Sequence, residues 1–68
     1  MPALEKAISI LYYLKKRDSR YATLTEISKA LNINKSSCFV VLQTLSAHNF
    51  VNYDEGNRKY SLGWAFAE

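Results

Sequence analysis

A chain of 68 residues holds one domain, since a second core of even about 40 residues would not fit beside the first. Its 49% apolar and 22% charged residues are a folded rather than a disordered composition, and its net charge of +3 permits a nucleic-acid partner without demanding one. A single Cys excludes an internal disulfide framework, and no apolar run approaches the roughly 18 residues of a membrane span. No basic segment followed by an apolar one marks a secretory signal, so the expected location is the cytoplasm.

The same inventory speaks against an enzyme. There are 1 His, 1 Cys and 6 acids, whereas a triad, a carboxylate dyad or a metal site needs several such groups in one cleft. His48 and Cys38 lack a second soft ligand, so no metal and no cofactor is expected. Gly56 and Gly63 are isolated and form no phosphate-binding loop.

Residues 3–17 predict a first helix. Leu4, Ala7, Ile8, Leu11 and Leu14 recur at helical spacing and form one stripe, with Glu5 near the start and Lys15, Lys16 and Arg17 at the end, where helix dipoles favour them. Ile10, Tyr12 and Tyr13 lie off that stripe as a second apolar patch, which suits a second packing partner such as another copy of the chain. Residues 18–22 are polar and linking, and residues 21–24 suit a very short strand.

Residues 26–31 predict a second helix. Thr25 suits its N-cap, and Thr23 with Glu26 offers an alternative capping box. Ile27, Ala30 and Leu31 would face inward. Asn32 can take the left-handed conformation that ends a helix, Ile33 can anchor the turn, and Asn34 can cap the next helix. That third helix runs over residues 35–48, with Cys38, Val41, Leu42 and Leu45 turned inward and Asn49 as a left-handed stop. Residues 50–54 and 58–62 predict two strands, joined by a turn at Glu55, Gly56 and Asn57. Two strands alone are marginal, so they must pack on the helices or pair with residues 21–24. Trp64 and Phe66 are a large apolar payload that reads as the start of a linker.

Helix, short strand, helix, tight turn, helix and hairpin make a winged helix-turn-helix arrangement, mainly α with a small β-hairpin. Specific segments add a family resemblance. Residues 3–11 are similar to the opening of IclR-type bacterial transcriptional regulators, and residues 24–31 to their second helix. Asn34-Lys35-Ser36-Ser37 resembles the family's P-K-S-T start of the recognition helix. Leu42-Gln43-Thr44-Leu45 with His48-Asn49-Phe50-Val51 resembles L-x-T-L…H-G-F-V, and residues 58–63 resemble R-x-Y-x-L-G on the second wing strand.

The resemblance implies a DNA-binding domain over residues 1–62, with residues 63–68 beginning a linker to an effector domain outside this chain. It also implies homodimers on palindrome-like operators, joined through the first helix and the linker, with any effector ligand held by that other domain. The regulator could be a repressor or an activator. Asn32 and Asn49 stand where the family usually has Gly, and Asn34 where Pro is common. Phe39 and Val40 replace a polar or basic pair, which removes the contacts that such a pair would make.

On DNA, helix 34–48 would lie in the major groove and hairpin 51–62 would form the wing. Ser36, Ser37, Phe39, Val40, Gln43 and Thr44 fan across the outer side of the third helix. Gln43 can pair with an adenine edge, Ser36 and Ser37 can reach bases or phosphates, and Phe39 and Val40 can meet thymine methyls. Lys35 is placed for a backbone phosphate, and the amides at Thr25 could hold another. On the wing the candidates are Asn57, Arg58 and Lys59, with Arg58 favoured for the minor groove or its flanking phosphates and a salt bridge to Asp54 or Glu55 as its competing role. The alternative function is a winged-helix protein-interaction module docking through the Phe39/Val40 face.

Overall fold

The computed structural model describes residues 3–16 and 21–63. Helix α1 (Ala3–Lys16) is followed by strand β1 (Ala22–Thr23), helices α2 (Leu24–Leu31) and α3 (Lys35–Ala47), and strands β2 (Val51–Asp54) and β3 (Lys59–Leu62).

Local side-chain chemistry sets the helix boundaries. Thr23 Oγ1 accepts the Glu26 backbone N–H at 3.1 Å, while Glu26 Oε1 accepts the Thr23 N–H at 2.8 Å. This is the capping box, so α2 opens at Leu24 and Thr25 is a helical residue rather than the cap. Asn32 adopts φ 54° and ends α2, and the Ile33 N–H then donates to the Ser28 carbonyl at 2.9 Å, which seats Ile33 in the core. Asn34 Oδ1 accepts the backbone N–H of Ser36 at 2.9 Å and starts α3. His48 caps its far end, and Asn49 takes φ 66°. Asn32 and Asn49 therefore both take the left-handed conformation expected of them.

The hairpin does recruit the short strand. The sheet order is β1-β3-β2, all antiparallel, with Ala22 opposite Tyr60 and Tyr53 opposite Tyr60 on its two sides. The turn is longer than expected: it spans residues 55–58, so Arg58 belongs to the turn and not to a strand, and Phe50 precedes β2. Gly63 follows β3 and donates its N–H to the Phe50 carbonyl at 2.8 Å. A Cβ there would lie 2.7 Å from the Asn49 carbonyl carbon and 2.8 Å from that of Phe50, so the close approach requires glycine.

The core unites Ile10 and Leu14 of α1, Ala22, Ile27, Ile33, Cys38, Leu42, Leu45, Val51 and Tyr60. Two expected stripes shift. In α1 the inward face is Ala7, Ile10, Leu11 and Leu14, whereas Leu4, Ile8 and Tyr12 are exposed. That is a rotation of roughly 45° at about 100° per residue. Seven of the eight residues from Ala7 to Leu14 are apolar, so helical spacing alone fits either stripe and packing against α3 and β3 selects one. In α2, Ala30 is exposed and Ser28 is buried instead. Ser28 can be buried because its hydroxyl donates to the Thr25 carbonyl at 3.0 Å. Arg17, Arg20, Trp64 and Phe66 lie outside the described residues.

Candidate nucleic-acid interface

With Cys38, Leu42 and Leu45 buried, α3 turns Lys35, Ser36, Val40, Gln43, Thr44 and Ala47 outward as exposed residues; Ser37 is half-buried. Val40 is 58% exposed, an unusual state for a β-branched apolar residue in the middle of a helix. The helix carries neither acid nor base between Lys35 and Ala47. Beyond Lys35 its outward surface is neutral, and its apolar groups stand beside a few hydrogen-bonding ones.

Two of those hydroxyl groups are already engaged. Ser36 Oγ donates to Asn34 Oδ1 at 2.6 Å, and Thr44 Oγ1 donates to the Val40 carbonyl at 3.2 Å. Gln43 keeps a side-chain amide that both donates and accepts.

A cleft of about 390 Å³ separates α3 from the hairpin. Phe39, Gln43, Ser46 and Ala47 line one wall, and Tyr53 and Tyr60 line the other. The two tyrosines form a cross-strand pair with ring centroids 4.7 Å apart. Tyr60 is buried and Tyr53 is 42% exposed, so the pair presents one aromatic edge to the cleft. Phe39 thus points to the wing side of α3, while Val40 lies on the far side of Gln43. Tyr53 was not among the sequence-derived candidates. The signal was present in the alternation of Val51 and Tyr53, which puts both on the helix-facing side of the sheet.

The wing tip is separate from this cleft, since Asn57, Arg58 and Lys59 do not line it. Asp54 organises the tip: its Oδ1 accepts the Gly56 N–H at 2.9 Å, its Oδ2 accepts Asn57 Nδ2 at 2.9 Å, and its carbonyl accepts the Arg58 N–H at 2.6 Å. The Asn57 side chain is therefore built into the turn. The Asp54 carboxylate is likewise committed to holding it. Arg58 sits at φ 57° in the left-handed region, an uncommon place for a residue with a Cβ. Lys59 opens β3 on the sheet face opposite Tyr60 and is exposed. Thr25 lies in the first turn of α2, half-buried, and is also outside the cleft.

Residues 3–55 match the IclR helix-turn-helix domain. The chain belongs to that family. It is a winged helix-turn-helix DNA-binding domain of transcription-regulator type, and the sequence resemblance holds. The chain is 30% identical over 66 residues to the HTH-type transcriptional regulator XynR of Escherichia coli K12, covering 97% of this chain and 26% of that protein. An IclR transcriptional regulator from Alicyclobacillus acidocaldarius has a solved structure that superposes with a TM-score of 0.88 at 43% identity, covering 93% of this chain and 25% of that one. HmgR of Pseudomonas aeruginosa gives 0.76 at 27% identity, covering 88% and 25%. The chain thus spans about a quarter of the length of these relatives.

The shifted pKa values belong to the interior. Burial raises the Cys38 thiol above its ordinary value, so it stays protonated and behaves as a small apolar residue. Tyr60 is raised by burial first, then by Tyr53 and Cys38. Among the described residues no group of three or more His, Cys, Asp or Glu could hold a metal ion, and no helix is long and apolar enough to cross a membrane.

Proposed function

We propose that this IclR-type domain reads double-stranded DNA sequence-specifically for a bacterial transcriptional regulator, acting at the chromosome in the cytoplasm. Helix α3 enters the major groove and the β2–β3 hairpin is the wing. The observation that carries this reading is the outward face of α3. Beyond Lys35 it is neutral and exposed, mixing apolar groups with one free amide, which suits base edges better than bulk water. Lys35 at the start of α3 and Arg58 and Lys59 on the wing supply phosphate contacts at the flanks, where they fix position rather than sequence. The amides at Thr25 and the hydroxyl of Ser37 are further phosphate partners.

The domain works as a homodimer. Leu4, Ile8 and Tyr12 recur every fourth residue on α1 and are 72%, 44% and 57% exposed, an apolar stripe suited to the same stripe of a second copy. The segment after Gly63 would extend that contact. Effector binding belongs to a separate domain of the longer regulator.

The test is fluorescence anisotropy of the chain against random duplex DNA at rising salt. Binding should weaken linearly on a log–log plot, by about 0.9 per phosphate contacted. Lys35→Ala should lower that slope by about 1 for all sequences alike. Salt-insensitive capture of a protein partner through Phe39 and Val40, without DNA binding, would replace this reading by that of a protein-interaction module. Sedimentation with Ile8→Glu tests the dimer: the substitution should shift the chain to monomer.

A further inference from the structure

We propose that α3 reads A·T base pairs, with Gln43 taking an adenine and Val40 and the Thr44 methyl taking thymine methyl groups. The proposal rests on the major-groove reading above and assigns the base content of the half-site.

The hydrogen bonds made within the domain narrow the choice. Three exposed polar side chains beyond Lys35 face outward from α3: Ser36, Gln43 and Thr44. Ser36 spends its hydroxyl proton on Asn34, and Thr44 spends its own on the Val40 carbonyl. Thr44 thus has no proton left to donate and offers its methyl beside an acceptor oxygen. Gln43 remains as the bifunctional group. Its amide donates and accepts side by side, which matches adenine N7 and N6. Guanine presents two acceptors, O6 and N7, and is best met by Arg or Lys. No Arg or Lys follows Lys35 anywhere in α3.

The neighbours of Gln43 agree. Val40 is three residues before it, Thr44 one after and Ala47 four after, so all four share one continuous outward patch. Apart from the amide and the lone pairs left on the Thr44 hydroxyl oxygen, that patch offers methyl groups. The C5-methyl of thymine is the base-edge feature that methyl groups recognise in the major groove. On the other side of Gln43, Phe39 and Tyr53 line the cleft. A mismatched base would lose both hydrogen bonds to the amide.

The experiment is selection of the intact 68-residue chain against random duplexes at low salt, followed by titration of the selected duplex and three variants. Selected sites should carry adjacent A·T pairs. Changing either pair to G·C should weaken binding about tenfold. Replacing thymine by uracil, which removes only the methyl, should weaken it severalfold. Gln43→Ala should fold normally, because the residue is exposed, and should lose the preference for A·T over G·C. Selection of a G·C core, or an A·T preference that survives Gln43→Ala, would overturn the assignment while leaving DNA binding intact. Binding that is salt-dependent but selects no base would do the same. Absence of salt-dependent binding to every duplex would overturn both this assignment and the function on which it rests.

Discussion

Replacing Arg58 by glycine should stabilise the domain and weaken its hold on DNA together. Arg58 ends the hairpin turn at φ 57°, where a Cβ crowds the following carbonyl at a cost of about 1–2 kcal/mol. Arg58→Ala keeps that Cβ and loses the rest of the side chain, guanidinium included. Arg58→Gly removes the crowding but frees the unfolded chain, which takes back about 0.4–1 kcal/mol. The glycine variant should therefore be the more stable of the two by about 0.5–1 kcal/mol. In a domain of this size that separates their melting temperatures by a few degrees, at about 4–8 °C per kcal/mol. In an ordinary strand position the order reverses, because glycine there is the weaker residue by about 0.5–1 kcal/mol. Circular-dichroism melts of the two variants read the sign directly. Both should also lower the salt slope of DNA binding by about 0.9, the share of one lost phosphate contact. A glycine variant less stable than the alanine variant would refute the backbone account, and an unchanged salt slope would refute the contact.

Three further outcomes follow from the packing. Ile10→Ala should cost about 3 kcal/mol in urea unfolding, a large part of the roughly 3–10 kcal/mol expected for 68 residues, whereas Leu4→Ala should stay within about 0.5 kcal/mol; equal costs would contradict the face that α1 buries. Gly63→Ala should destabilise by about 2 kcal/mol or more, because its Cβ meets the backbone of Asn49 and Phe50, and an unchanged melt would show that the chain end separates freely there. Stability should also fall in alkali: Cys38 and Tyr60 have folded values raised above the ordinary 9.0 and 10.0, so the stabilisation from burying them neutral is complete below those values and lost as pH rises through the folded ones. The urea midpoint measured against pH should decline above 9.0, less so in Cys38→Ala, and a level midpoint well above pH 10.0 would contradict this.

The local punctuation of this chain was written in its sequence. Asn32, Asn34 and Asn49 marked the ends of α2 and α3 because each role depends on one residue's own backbone or side chain. The inward face of α3 was equally legible, since Cys38, Leu42 and Leu45 are separated from the outward residues by a clear helical period. Collinear motifs then identified the IclR family. Long-range geometry decided the rest. The apolar crowding of α1 is compatible with two faces, and only contact with α3 and β3 buries Ile10 and leaves Ile8 outside. Arg58 reads as a strand residue until the Asp54 carboxylate and carbonyl gather the turn around it. The cleft joining Phe39 and Gln43 to Tyr53 exists because antiparallel pairing sets Tyr53 opposite Tyr60, beside α3. Caps and helical periods depend on residues a few positions apart, whereas a face or a cleft depends on which distant surfaces meet, and that is settled only when the whole core closes.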